Sequence, residues 1–259
     1  MTLFNQSHMT HVLRATTTLF FVTALTGTVA AQMFSYGGFE SRATQSLSVT
    51  THLIDFKYDG SSDFDTRLDW NGTAYGVAFN RRNFAVSIVF GSAHADSSDF
   101  DENLRLVDAT LSGWADLIRS RGSSVQFGLP LVLHSNFRTV DGDFTNDYDE
   151  SFNYTVVGLG SGVTFGAEPS ASVEIEARAL PIVAMAFRSF EGFAGSSFIV
   201  DSDVGVHFMH LFGRYGLSLG YGFRWQKWNT KDVVGFTNVE QDLFDYKSNQ
   251  HMLRLGLNW

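Results

Sequence analysis

Cysteine is missing from all 259 residues, and proline occurs only three times. Without cysteine there is no disulfide framework, no thiolate ligand or nucleophile, and no N-terminal cysteine to carry a lipid. Positive charge is scarce: 18 Lys and Arg against 27 Asp and Glu leave a formal net charge of −9. No basic run of the kind that tracks phosphates is present, which argues against a nucleic-acid partner. After residue 31 no window approaches the ~18 uninterrupted apolar residues of a membrane-spanning helix. What is abundant is glycine, at 24, and aromatic side chains, at 15% with 25 Phe. A length near 250 suits one large β domain as well as two ordinary ones.

The N-terminal stretch HVLRATTTLFFVTALTGTVAAQ has the three parts of a secretory signal. Arg14 precedes an apolar segment from about Thr18 to Leu25, and small residues close it at Val29, Ala30 and Ala31. The apolar segment is too short to span a bilayer as a helix. Cleavage between Ala31 and Gln32 is the expectation, with Met9 an alternative start to Met1.

The remainder alternates with period two. In RYGLSLGYGFRWQKW, Tyr215, Leu217, Leu219, Tyr221, Phe223 and Trp225 share one face, while Ser218, Gly220, Gly222, Arg224 and Gln226 share the other. The same pattern recurs at FAVSIVFGSA, SVQFGLPLVLHSN, VVGLGSGVTFG, SVEIEARALPIVAMAF and FIVDSDVGVHF, and at the terminal HMLRLGLNW. Fainter alternation covers about 46–58, 65–80 and 104–118. Short connections near 80–83, 120–123, 166–170 and 212–215 interleave with longer polar ones at HADSSDFDENL, RTVDGDFTNDYDES, RSFEGFAGSS and NTKDVVGFTNVEQDLFDYKS. Only the turn near DGSSD breaks that rule. An even number of ~10-residue alternating segments, joined by short turns at one end and long loops at the other, predicts an all-β, antiparallel up-and-down transmembrane β-barrel. About ten strands are expected, with eight or twelve the alternatives. Lipid offers no hydrogen bonds to a backbone, so the sheet must close on itself, and the last strand must pair with the first.

With the signal, the alternation and the aromatic final residue in view, residues 45–259 resemble the bacterial outer-membrane β-barrel proteins. The resemblance implies the outer membrane as location, with short turns in the periplasm. It implies that Leu253, Leu255, Leu257 and Trp259 serve as the signal read by the barrel-assembly machinery, with periplasmic chaperones and outer-membrane lipid as the other partners. Residues 1–31 are then the cleaved signal, 32–44 a short periplasmic lead-in, and 45–259 the barrel.

Placing the apolar faces in lipid turns Asp108, Asp116, Glu174, Glu176, Arg178, Asp201, Asp203, His207, Arg224 and Arg254 into the lumen. The hairpin at 212–213 sets Asp201 opposite Arg224 and Asp203 opposite Gly222. Ten strands lie near the limit at which side chains fill the interior, so these charges are expected to neutralise one another and plug the lumen. Gly158, Gly160, Gly162, Gly220 and Gly222 leave room for the competing reading, a narrow pore for small solutes.

Catalytic sites of the resembled family transfer poorly. Its barrel proteases carry an acidic pair, like Asp99 and Asp101, and an Asp-x-His pair at the extracellular rim. Here Asp203 and His207 are four apart on one strand, ~13 Å, too far for a catalytic hydrogen bond. The His-x-Ser of its lipid deacylases is replaced by adjacent His134 and Ser135, which face opposite ways, and its palmitoyltransferase site has no convincing counterpart. DGDFTNDYDE misses the calcium-loop spacing, and His207 and His210 point to opposite sides. No catalytic residue, metal or cofactor is therefore assigned. The expected role is structural or surface-interacting, through a ligand of the long loops, with a rim hydrolase as the remaining alternative.

Overall fold

A computed structural model describes residues 45–59, 67–81, 84–97, 100–120, 125–141, 152–188, 192–229 and 245–259. The signal with its Ala31–Gln32 junction, the lead-in 32–44, Asp99 and the acidic loop at 142–151 lie outside the described residues. The strands are β1 (Gln45–Asp59), β2 (Arg67–Arg81), β3 (Phe84–Ser97), β4 (Phe100–Arg119), β5 (Val125–Asp141), β6 (Phe152–Ser161), β7 (Val163–Ser170), β8 (Val173–Arg188), β9 (Gly192–Phe212), β10 (Tyr215–Asn229) and β11 (Asp245–Asn258).

Each strand pairs antiparallel with its neighbours in the sheet, and β1 pairs with β11. β6 and β7 break at Gly162 and share β5 and β8 as flanking partners, so they form one stave of a closed ten-stranded barrel. The closing seam runs from Ser46 opposite Asn258 to Asp59 opposite Asp245. It is finished by reciprocal backbone hydrogen bonds of 3.2 and 3.1 Å between Gln45 and Trp259. The final tryptophan is tied into the sheet, and no unpaired edge remains at the seam. At the turn after β9, Gly213 takes φ +70°, the left-handed region that favours glycine.

The strands outrun the sequence reading at the loop end. β3 ends at Ser97 and β4 begins at Phe100, while β8 ends at Arg188 and β9 begins at Gly192. Two connections expected to be long loops are therefore largely strand. At the other end, β7 continues through the stretch expected to turn and reverses at Ala171–Ser172. With 20 residues in β4 and 21 in β9, these two strands are about twice the ~10 residues needed to cross a membrane, and β1, β2, β3, β5, β8, β10 and β11 exceed it as well.

The surplus length explains the fainter alternation. Along β1, Leu47, Val49 and Leu53 face outward, but Ile54, Phe56 and Tyr58 are buried inside, while Asp55 and Lys57 face out. β2 inverts in the same way, with Tyr75 and Val77 exposed below and Trp70 buried above between outward Asp69 and Asn71. β11 repeats it with Leu253, Leu255 and Leu257 against Tyr246, Lys247 and Asn249. The apolar phase flips where lipid gives way to water. The short-turn half is apolar outside and polar inside; the loop-side half has an ordinary apolar core and a polar exterior.

Candidate functional site: the lumen

The loop-side half of the lumen is filled by aromatic rings. Phe56 and Trp70 stack at 6.1 Å, Tyr246 lies 5.7 Å from Phe56, and Trp228 meets Tyr246 at 4.8 Å and Tyr154 edge-on at 4.4 Å. Tyr58 and Tyr154 join their hydroxyls at 2.9 Å. Ile54, Leu104, Leu106 and Ile199 complete the layer, all at most 2% exposed. The lumen is expected to be plugged largely by charged side chains, and the loop-side half differs from that expectation. In this half aromatic and aliphatic side chains fill the lumen, because strands that have left the lipid bury their apolar face inward.

Beneath the aromatic layer, Arg138 donates through Nε to Asp108 Oδ2 at 2.7 Å, and through its terminal nitrogens to Tyr246 Oη, Ser248 Oγ and Gln250 Oε1 at 2.6, 3.1 and 2.9 Å. Asn136 donates to Asp108 Oδ1 and Thr110 Oγ1 at 3.1 and 3.0 Å. Gln250 and His52 are joined at 2.7 Å, and Ser112 and His134 at 2.9 Å. The network links β1, β4, β5 and β11 across the barrel interior. Sequence reasoning misses Arg138 and the network, because Arg138 opens a polar stretch that resembles a loop. The signal that could find it is its phase, which continues the inward series Val132, His134 and Asn136.

The predicted lumen charges gather in the short-turn half. Arg224 reaches Asp201 at 3.0 Å and Thr110 Oγ1 at 3.0 Å. Asp203 lies between two guanidiniums, 2.5 Å from that of Arg254 and 3.6 Å from that of Arg178. Arg178 in turn covers the Trp114 ring at 4.3 Å. His207 contacts Glu176 at 3.3 Å through Nε2 and Ser218 at 2.7 Å through Nδ1, and buried Glu174 stands opposite it in register. His207 is thus engaged by glutamate and serine, away from Asp203. Asp201 does face Arg224, and Asp203 faces Gly222. Asp116, at a bulge in β4, accepts from Thr164 at 3.3 Å.

A cavity of about 60 Å³ lies among His52, Arg178, Asp201, Asp203, Arg224 and Arg254. It has room for about four waters at ~15 Å³ each. The glycines expected to leave room do not. A Cβ on Gly220 would sit 2.6 Å from the Arg254 guanidinium, and one on Gly222 would sit 2.6 Å from Met252 Cε. Side chains of neighbouring strands already occupy that space. Among the described residues, no cluster of His, Asp or Glu is arranged to hold a metal ion.

The outer wall of the short-turn half carries Leu253 at 61%, Leu159 at 60% and Val77 at 52% exposure, with many similar neighbours. A monomer in water does not tolerate an apolar surface of that extent, whereas a closed barrel in lipid requires it. The chain is a transmembrane β-barrel.

No protein-family model and no curated protein sequence matches the chain. Solved structures similar to it include the outer membrane protease OmpT of Escherichia coli, at 8% identity and TM-score 0.39, covering 83% of this chain and 96% of that one. The attachment invasion locus protein Ail of Yersinia pestis matches at 11% identity and TM-score 0.30, covering 83% and 98%. Neisserial surface protein A matches at 12% identity and TM-score 0.29, covering 82% and 97%.

Proposed function

We propose that the barrel is a non-conducting membrane scaffold that lifts its loop-side rim above the lipid for interaction with a partner at the cell surface. The observation that carries this reading is the aromatic layer of Phe56, Trp70, Tyr154, Trp228 and Tyr246, packed across the lumen above the polar zone. Strands longer than crossing requires, up to about twice as long in β4 and β9, add to it, because their loop-side ends form a cored extension beyond the lipid.

Planar-bilayer recording on refolded protein tests the closed lumen. Wild-type protein is expected to give no single-channel steps, and the double variant Phe56→Ala, Trp70→Ala is expected to produce them. Reproducible steps from wild-type protein that change on Arg224→Ala would overturn the proposal in favour of a small-solute pore.

A further inference from the structure

In the lumen cavity the carboxylates are spent and the guanidiniums are not. Asp201 accepts from Arg224, and Asp203 is shared by Arg254 and Arg178. The acids beyond them are engaged as well: Asp108 by Arg138, Glu176 by His207 and Asp116 by Thr164. Arg178, in contrast, makes no hydrogen bond among the described residues. Its guanidinium rests over the Trp114 ring, and the Asp203 oxygen nearest to it is 3.6 Å away, beyond hydrogen-bond reach. The side chain is nonetheless only 17% exposed. The Nε of Arg224 is also buried without an acceptor. Donors withdrawn from water without an acceptor are costly, and both arginines line the same cavity.

The rest of the wall says what kind of acceptor fits. Room for about four waters is also room for a solute of about four non-hydrogen atoms. A carboxylate presents two in-plane oxygens that match the planar fork of a guanidinium. Beside the two arginines the lining turns apolar, with Trp114, Val132, Leu180 and Ile182, which suits a short hydrocarbon tail. A bare inorganic anion gains nothing from that side. Small residues of β2 and β3, Ala78, Ala85 and Ser87, line the cavity too. With them is Asn80, opposite Ala85 and one pair from the end of the β2–β3 ladder at Arg81 and Phe84. The cavity therefore reaches down to the short-turn mouth of the barrel.

We infer that the lumen binds a short-chain monocarboxylate, of acetate or propionate size, entering from the short-turn mouth. Its carboxylate takes the unspent donors of Arg178 and Arg224, and its hydrocarbon end lies against Leu180 and Ile182. The site is inside the barrel and stands whether or not the loop-side rim meets a partner.

The test is saturation-transfer NMR of propionate with the full-length protein refolded in detergent, with protein-free micelles as the baseline. Wild-type protein is expected to show saturable binding. Arg178→Met keeps a side-chain stem over Trp114 but removes the guanidinium, and should weaken binding about tenfold or more. Ser87→Leu fills the cavity from the β3 wall with every arginine in place, and should abolish binding. Heat-modifiable gel mobility confirms folding of each variant. No saturable binding to wild-type protein, or unchanged binding in either folded variant, would overturn the site. Displacement of propionate by nitrate or phosphate at equal concentration would overturn the carboxylate assignment in favour of a general anion site.

Discussion

Asp108 on β4 and Arg138 on β5 sit directly opposite each other, joined at 2.7 Å with side chains only 1% and 4% exposed. Removing one member of such a pair leaves a buried charge uncompensated, which costs about 3–5 kcal/mol. Arg138→Met and Asp108→Leu are each expected to destabilise the barrel by that amount, and the double variant by much less than their sum. Urea unfolding from lipid vesicles, followed by tryptophan fluorescence, measures all three. Additive losses would show that the two residues do not act as a pair.

The apolar band has an upper edge, and arginine substitutions locate it. Leu255 is 51% exposed near mid-band, so Leu255→Arg is expected to cost about 2–4 kcal/mol. Asn249 faces outward six residues higher up the same strand, where Asn249→Arg should cost at most about 1 kcal/mol. Similar losses at the two positions would contradict the phase change at the lipid edge.

Gly256 lies between the outward residues Leu255 and Leu257 and faces inward, yet it has no room for a side chain. A Cβ there would collide with Ser48 Oγ and the Leu47 carbonyl oxygen across the closing seam. Gly256→Ala is expected to destabilise by about 1–3 kcal/mol through overpacking, with lower refolding yield on heat-modifiability gels. A variant indistinguishable from wild type would mean that the β1–β11 approach is looser than described.

The aromatic layer should behave as an ordinary protein core. Phe56 is fully buried, and Phe56→Ala is expected to cost about 3–5 kcal/mol, read from the same unfolding midpoint. A loss under about 1 kcal/mol would show that the rings are not close-packed and would weaken the closed-lumen reading with it.

Much of this architecture is legible in sequence because lipid imposes a simple rule on a barrel wall. Where the strand is in the membrane, every second residue must be apolar and outward, so β10 and the end of β11 can be read residue by residue. The opposition of Asp201 and Arg224 follows from the same rule plus one hairpin position. The rule misleads above the lipid edge. Ile54, Phe56 and Tyr58 are apolar but inward, so extending the phase of Leu47 and Val49 along β1 finds only a weakened alternation. Arg138 is lost for a related reason, since a charged residue ahead of an acidic loop looks like part of the loop when its strand partners are not in view.

Local alternation and turn chemistry are enough to dictate the strand-rich wall, its short-turn and long-loop ends, and the inward side of most charged residues. Each of these depends on residues a few positions apart, so the chain order alone carries them. Which charges meet is settled only when the strands close into a barrel. The same is true of the aromatic rings that close the loop-side lumen, and of Arg254 and Met252 filling the space over Gly220 and Gly222. These features depend on register between strands as far apart as β1 and β11, and a period-two pattern carries no information about its partner.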